Sequence, residues 1–454
     1  MKKVLPFLIG LVLAPSAFAE NLIQVYEQAR LTNPDLKSSV ADKEKAYSGI
    51  SEQRASLLPQ LGLNASYGLS HGFREAKDMN SKTGRLGLSL NQSIFNYANW
   101  KKLDIAQQQA SVADIAYQAR EQALILDTAT NYFKVLRAID TLSYVDAQKK
   151  AIYRQLEQTR QKHKVGLVAI TDVQNAQANY DLTIAEQVSS LNDLNNALED
   201  LRQVSGRFYA NLATIDIKAF KTEKPSHISQ LLQRSENANL DLLTARLSRD
   251  IAKEQIRLAQ SGHLPTISLN ASTGLNKNEN YGDKVGLKSD HVTPAYADRN
   301  QITGANTIGI TFDMPIFTGG ATMSQVSQAQ YNYVSFSEKL ESTNRAVINR
   351  VRSSYNNISA AISSIKAYEQ SVVSAQSSLD ATQSGYEVGT RTIVDVLTAT
   401  TQLYDSKKRL SNSKYDYLIS LLQLKSSIGT LTANDLVQLN NMLGKETTTL
   451  LSIN

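Results

Sequence analysis

A stretch of 66 residues, 98–163, contains neither proline nor glycine. Apolar residues recur along it at spacings of three and four, as they do on one face of a helix. Such a helix would extend about 100 Å at ~1.5 Å per residue, so it could not be buried in a compact domain. The stretch therefore predicts a long helix with coiled-coil packing, and residues 323–384 predict a second one.

The second half of the chain repeats the first half. The segment LNASYGL at 63–69 is matched by LNASTGL at 269–275, and KVGLVAITDV at 164–173 is matched by EVGTRTIVDV at 387–396. These matches keep the same order along the chain, which chance does not explain. The pattern indicates an internal duplication.

One pair of matched segments interrupts the helical pattern. Each member carries a glycine, Gly166 or Gly389, and an aspartate six residues later, Asp172 or Asp395. Glycine accepts the backbone angles that end a helix at low cost. Each segment is therefore predicted to form the tip of a helical hairpin.

Alternating apolar and polar residues predict two β-hairpins, at about 60–95 and about 264–317. Their strands, of roughly ten residues, have the length that a tilted strand needs to cross a bilayer. Four strands cannot close a membrane barrel, and open edges in lipid would leave backbone groups unpaired. We therefore expect an oligomer, and a trimer would supply twelve strands and twelve helical columns. An ordinary half-buried antiparallel sheet is the alternative interpretation.

A basic start, a short apolar run and the residues AFA at 17–19 predict a signal peptide that ends at Ala19. The rest of the chain is predicted to divide as the repeats do. The predicted segments are a signal peptide (1–19), a first repeat (20–206, with its tip at about 164–172), a linker or equatorial segment (207–229), a second repeat (230–429, with its tip at about 385–395) and a C-terminal equatorial segment (430–454).

Composition argues against several functional classes. The chain has no cysteine, and its five histidines show no metal-ligand spacing, so no metal or cofactor is expected. There is no glycine-rich phosphate loop and no nucleophile elbow, so an enzyme is not expected. The net charge of +6 comes from interspersed residues, which favours solvated helix faces over nucleic-acid binding.

Four segments resemble the outer membrane factor family of channel-tunnels. They are ENLIQVYEQAR at 20–30, LLPQLGL at 57–63, VGLVAITDVQNA at 165–176 and VGTRTIVDVL at 388–397. The resemblance covers essentially the whole chain after the signal peptide. It implies a mixed α and β fold, in which a homotrimer forms a 12-stranded β-barrel in the outer membrane and a 12-helix coiled-coil barrel across the periplasm.

The resemblance also implies a function. Such a channel exports drugs, small toxic compounds and, in type I secretion, proteins. It does so when docked to a periplasmic adaptor and an inner-membrane RND, MFS or ABC transporter, and its periplasmic end opens like an iris. A structural periplasmic coiled-coil protein without a pore is the alternative.

The resemblance places functional residues on the two tips. It assigns an aspartate constriction to Asp395, but the second acidic ring of the family falls at Thr398, which is uncharged. The remaining gate residues that it implies are Thr171, Asp172, Tyr386 and Arg391. The adaptor-contact residues that it implies are Val165, Gly166, Leu167, Val388, Gly389 and Thr390. Helix caps and surface charges are the alternative interpretation of these residues.

Overall fold

The computed structural model describes residues 20–74, 77–215, 220–281, 284–287, 294–296, 301–441 and 443–448. The predicted signal peptide lies outside these ranges, as does the end of the predicted C-terminal segment. Two compact units are present. The first, here called the tip unit, comprises the described residues up to Val40, Ile115–Leu243 and those from Ser342 onward, and the second, the sheet unit, comprises Ala41–Asp114 and Thr244–Glu341.

Helices make up most of the described chain. They are α1 (Leu22–Thr32), α2 (Pro34–Ala55), α3 (Tyr97–Lys164), α4 (Ile170–Ser205), α5 (Ile228–Ala238), α6 (Leu240–Gln260), α7 (Ala321–Glu387), α8 (Ile393–Ile428) and α9 (Ala433–Asn440). The two predicted long helices are α3, with 68 residues, and α7, with 67. Within the described ranges, no helix is both long and apolar enough to cross a membrane.

The strands lie between the helices in chain order. They are β1 (Gln60–Arg74), β2 (Lys77–Phe95), β3 (Asn211–Ile215), β4 (Thr266–Tyr281), β5 (Lys284–Leu287), β6 (Pro294–Tyr296), β7 (Gln301–Asp313) and β8 (Leu443–Thr448). Two helices, two long strands, a long helix and another helix follow one another in each half of the chain. This order agrees with the predicted duplication.

Equivalent asparagines separate the first two helices of each half. Asn33 ends α1, and its side-chain oxygen accepts a hydrogen bond of 3.0 Å from the Leu36 amide in α2. Asn239 lies between α5 and α6 and accepts the same bond, also 3.0 Å, from the Leu242 amide. Each side chain also donates to a carbonyl near the end of a later helix, Asn33 to Val204 at 3.2 Å and Asn239 to Ser427 at 2.8 Å. The same pair of asparagine hydrogen bonds thus holds the helix ends together in both halves.

The sheet unit contains a four-stranded antiparallel sheet with the order β1-β2-β4-β7. Its strands have 13 to 19 residues, so the prediction of roughly ten was too short. The polar segment expected to link β1 and β2 continues the ladder as far as the pair Arg74↔Lys77. Backbone hydrogen bonds alone extend the ladder, so the apolar alternation need not continue.

One face of this sheet is apolar and exposed. Its side chains alternate along the strands with polar ones, and Leu61 and Ile308 are 72% and 78% exposed. The residues of this face with large exposed side chains are Leu61, Leu63, Tyr67, Leu69, Leu86, Leu88, Leu275, Ile302, Ile308, Ile310 and Phe312. The opposite face is polar and includes a hydrogen bond of 2.6 Å between the Ser272 and Thr307 hydroxyls.

A second, two-stranded sheet joins distant parts of the tip unit. Strand β3 lies in the segment predicted to be a linker, and it pairs antiparallel with β8 near the end of the chain. The hydroxyl of Tyr132 in α3, whose side chain is fully buried, donates to the Ala213 carbonyl in β3 at 2.6 Å. The β3 part of the predicted linker is therefore packed against α3.

Candidate functional site: the two helical tips

The first tip is the turn between α3 and α4. Gly166 has φ of 76°, and the amides of Gly166 and Leu167 donate back to the His163 and Lys162 carbonyls, both at 2.9 Å. These crossed bonds and the positive φ define a Schellman turn, which glycine favours. His163 adds a side-chain bond, with Nδ1 3.0 Å from the Val168 carbonyl oxygen. Two backbone hydrogen bonds and one side-chain contact thus hold the first tip.

The second tip is the turn between α7 and α8. Gly389 has φ of 81°, and the Thr390 amide donates to the Gly385 carbonyl at 2.8 Å. The Thr390 hydroxyl donates to the same carbonyl at 3.0 Å. A Cβ atom on Gly385 would lie 2.8 Å from Cγ of Arg391, so a larger residue at this position would force the Arg391 side chain to move. The turn brings Arg391 directly alongside the end of α7.

Asp395 closes the start of α8 as part of a capping box. Its carboxylate accepts bonds of 2.9 Å from both the amide and the hydroxyl of Thr392, and its own amide donates to that hydroxyl at 3.2 Å. Hydrogen bonds from the Thr392 amide and then its hydroxyl, with the nearby Arg391 charge, lower the pKa of Asp395. The carboxylate therefore remains ionised at neutral pH.

The two hairpins pack on each other through a small apolar core near the tips. It contains six buried side chains from α3, α4 and α8: Ile152, Leu156, Ala176, Ile393, Val396 and Leu397. Three partly buried side chains pack against it, namely Tyr180, Leu379 and Tyr386. This core holds the predicted gate residue Tyr386 at the junction of the two hairpins.

The two tips present apolar side chains to solvent. Val165 and Leu167 on the first tip are 70% and 72% exposed, and Val388 on the second is 76% exposed. Each of these residues flanks the glycine of its turn. The arrangement suits a docking surface, because the backbone turns hold the side chains outward and in fixed positions.

The predicted gate residues divide between the tips. Thr171 and Asp172 begin α4, whereas Tyr386 and Arg391 lie on the second tip beside Asp395. Across the described part of the chain, no hydrogen bond or ion pair joins the first pair to the second. Thr398 is exposed one turn beyond Asp395, so the position expected to carry a second acidic ring is accessible and uncharged.

The prediction missed several residues that shape the tips. Thr392 caps α8, Gly385 permits the close turn, and His163 bonds across the first tip. The capping box could have been read from the sequence, because threonine at 392 and aspartate three residues later match the motif of Ser or Thr followed by Asp or Glu. Contacts made by His163 and Gly385 depend on the folded turn and leave no such signature. Among the described side chains, no cluster suited to a metal ion is present.

Comparison with known proteins identifies the family. The family model described as "Outer membrane efflux protein" matches residues 25–207 and 231–430. The outer membrane protein TolC of Escherichia coli strain K12 is 54% identical over 452 residues, covering 99% of this chain and 91% of the relative. The TolC protein of Vibrio cholerae is 41% identical, covering 97% of this chain and 98% of the relative.

A solved structure shows the same fold. The CmeC outer membrane channel of Campylobacter jejuni superposes with a TM-score of 0.74 at 17% identity, covering 94% of this chain and 90% of that one. The predicted combination of long helices with an antiparallel sheet is thus confirmed. By their names, the matching family is one of efflux proteins and the matched relatives are outer membrane proteins. The chain therefore belongs to the outer membrane efflux protein family and is an outer-membrane channel protein.

Proposed function

We propose that three copies of this chain form one channel through the outer membrane, which the helices continue across the periplasm. The channel exports drugs, small toxic compounds and proteins when it is docked to an adaptor and an inner-membrane RND, MFS or ABC transporter. The four-stranded sheet carries this proposal, because one of its faces is apolar and exposed and because, among the described residues, no strand pairs with the outer edge of β1 or β7. The predicted division into two repeats and two equatorial segments is part of the same proposal.

The sheet supports closure by neighbouring copies. Unpaired strand edges are costly in lipid, so β1 of one copy is expected to pair with β7 of the next. Two copies would give eight strands, and a barrel of that size is filled by its own side chains. Three copies give twelve strands, with the apolar face toward lipid and the polar face toward a wider interior.

Cysteine pairs across the open edges test this closure. The chain has no cysteine, so engineered thiols have no competitors. Ser66→Cys in β1 is combined in turn with Thr303→Cys, Thr307→Cys or Thr311→Cys in β7, all on the polar face. We expect one combination to give covalent trimers in non-reducing gels. Two strands separate β1 from β7 within a chain, about 14 Å at ~4.8 Å per strand, so a disulfide inside one copy is excluded.

The matched control is Ser66→Cys alone, which should remain monomeric in the same gel. Dimers without trimers, or no cross-link in any of the three combinations, would contradict closure by three copies. Both results would favour a periplasmic coiled-coil protein whose sheet edges are covered in another way.

The tips are proposed to form the gate and the docking surface. Asp395 of each copy contributes to a ring of three carboxylates, and Thr171, Asp172, Tyr386 and Arg391 link the tips in the closed state. Arg391 forms no ion pair within the described chain, which leaves its guanidinium available to a neighbouring copy. The residues proposed to contact the adaptor are Val165, Gly166, Leu167, Val388, Gly389 and Thr390.

Arg391→Ser combined with Tyr386→Phe is expected to raise single-channel conductance. An exposed arginine–carboxylate link contributes about 1 kcal/mol, and threefold symmetry would remove three such links at once. Conductance of the purified variant in planar bilayers is compared with that of the wild type. Arg234→Ser, at an exposed residue of α5 that belongs to neither tip, is the control for loss of a positive charge. Conductance that is equal in all three proteins would remove Arg391 and Tyr386 from the gate.

A further inference from the structure

Lys162 and Tyr386 form a contact between the two hairpins. Lys162 lies in the last turn of α3, and Tyr386 lies in the last turn of α7. The Lys162 ammonium nitrogen is 4.0 Å from the centroid of the Tyr386 ring. A cation at this distance over an aromatic face is attracted by the negative potential of the ring. The contact thus joins the end of one hairpin to the end of the other within a single chain.

The Tyr386 hydroxyl makes no hydrogen bond that joins the two hairpins within the described residues. Its oxygen is shielded from solvent and has no hydrogen-bond partner among the described residues. The ring itself packs against the tip core that contains Ile393 and Val396. Within one protomer, the side chain is therefore held by its ring face and by apolar packing.

The packing around this contact is incomplete. A groove of about 410 Å³, partly open to solvent, lies between the hairpins and is bordered by Lys162, Tyr386 and Gln155, among others. Gln155 donates to the Thr400 hydroxyl at 2.9 Å, but its side-chain oxygen is buried without a partner in the described structure. Because a poorly filled space contributes little apolar contact, the ends of α3 and α7 can separate here at low cost. The Lys162–Tyr386 contact restrains that separation together with the tip core and the Gln155–Thr400 bond.

We propose that Lys162 is a positioning residue of the gate, which holds the Tyr386 ring and so fixes the second tip against the first in the closed state. This inference rests on the proposed gated channel. It assigns the restraint within each protomer to the ring of Tyr386 and to the charge of Lys162. Links that use the hydroxyl of Tyr386 would have to be made to another copy.

Substitutions separate the ring from the hydroxyl. Lys162→Met removes the charge and keeps a long side chain, whereas Lys162→Arg keeps the charge. Tyr386→Leu removes the ring, whereas Tyr386→Phe removes only the hydroxyl. We expect Lys162→Met to raise the open-to-closed ratio about fivefold per protomer, which corresponds to about 1 kcal/mol. Tyr386→Leu also removes the packing of the ring on the tip core, so it should raise the ratio at least as much. Lys162→Arg should change it less than about twofold, and Tyr386→Phe should change it less than Tyr386→Leu does.

Single-channel recording and hydrogen exchange of the amides at 388–392 are measured on the same purified proteins. Lys164→Met is the matched control, because Lys164 is exposed and ends α3 two residues further on. In the double variant Lys162→Met/Tyr386→Leu, the effect should equal that of Tyr386→Leu alone, because Lys162 has no ring to contact once Tyr386 is replaced. Exchange of the α1 amides, in the same unit, should remain unchanged if the variants are folded.

Three results would overturn the inference. They are wild-type opening and exchange in Lys162→Met, an effect of Tyr386→Phe as large as that of Tyr386→Leu, and additive effects in the double variant. A wild-type protein that carries no current would instead contradict the proposed channel. The exchange measurement would then decide on the Lys162–Tyr386 contact by itself.

Discussion

Gly429→Ala is expected to destabilise the protein by about 3 kcal/mol or more, whereas Gly206→Ala should cost only about 1 kcal/mol. Both glycines end the last long helix of their repeat with a left-handed backbone, with φ of 87° and 72°. The penalty of a positive φ is therefore shared by the two variants. The difference in stability between the two variants therefore measures how closely neighbouring atoms approach each new methyl group.

The nearest atoms to Gly429 belong to the backbone, whereas the nearest atoms to Gly206 belong to a side chain. A Cβ atom at Gly429 would lie 2.1 Å from the Ala238 carbonyl oxygen, which is backbone. At Gly206 the nearest atom is the Thr32 hydroxyl oxygen, 3.3 Å away on a side chain. The backbone near Ala238 cannot retreat easily, because the neighbouring Asn239 is buried and hydrogen-bonded to Ser427 and Leu242. A clash with fixed backbone must displace a helix end, whereas a side chain can rotate.

The midpoint of thermal unfolding in detergent, followed by circular dichroism, measures both effects. Gly206→Ala serves as the matched control, because it changes the same atom at the equivalent position of the first repeat. Equal shifts in the two variants would contradict the close approach of the second helix end to Ala238.

Asp395→Asn is expected to weaken block of the channel by a trivalent cation at least about tenfold. Three carboxylates around one axis would attract multivalent cations strongly, and the substitution removes all three charges. The side-chain oxygen of asparagine can still accept a hydrogen bond from the Thr392 amide, which the carboxylate accepts at 2.9 Å. The start of α8 therefore remains capped, and the variant isolates the charge from the fold.

The pH dependence of block follows from the lowered pKa of Asp395. A carboxyl group with a depressed folded-state pKa stays ionised until the pH falls below the ordinary aspartate range, near about 4. Its contribution to capping is likewise present above the unfolded pKa and is lost as the pH falls through the folded pKa. The other two carboxylates of the proposed ring act in the opposite direction, because like charges disfavour ionisation. We therefore expect cation block to be unchanged around neutral pH and to disappear as acid protonates the ring.

Thr398→Asp supplies the opposite test. It adds a second acidic ring one turn beyond Asp395, so block by a trivalent cation and selectivity for cations should both increase. Dose–response curves for block in planar bilayers compare Thr398→Asp and Asp395→Asn with the wild type. Equal block in all three proteins would show that neither position lies at the constriction.

Much of the architecture could be predicted from local pattern. The absence of proline and glycine over 98–163 placed α3 within one residue at each end, because Gly166 stops the helix soon afterwards. The strands were predicted too short because their outer parts are polar. The pairing of β3 with β8 joins segments more than 200 residues apart and has no periodic signal, so the sequence could not reveal it.

The tips were predictable to different degrees. Their positions followed from Gly166 and Gly389, whose positive φ the structure confirms. The approach of Lys162 to Tyr386 could not be predicted, because it depends on how the ends of two helices pack and not on the spacing of residues in either one. The roles of the gate residues remain predictions, because they require copies of the chain that meet around an axis.

Single-channel recording of the purified wild-type protein in planar bilayers tests the central claim most directly. A trimeric pore that narrows at the Asp395 ring predicts discrete current steps, selectivity for cations, and block by a trivalent cation added on the side that the tips face. Purified, folded protein that inserts without producing discrete steps would contradict the account and favour a periplasmic coiled-coil protein without a pore.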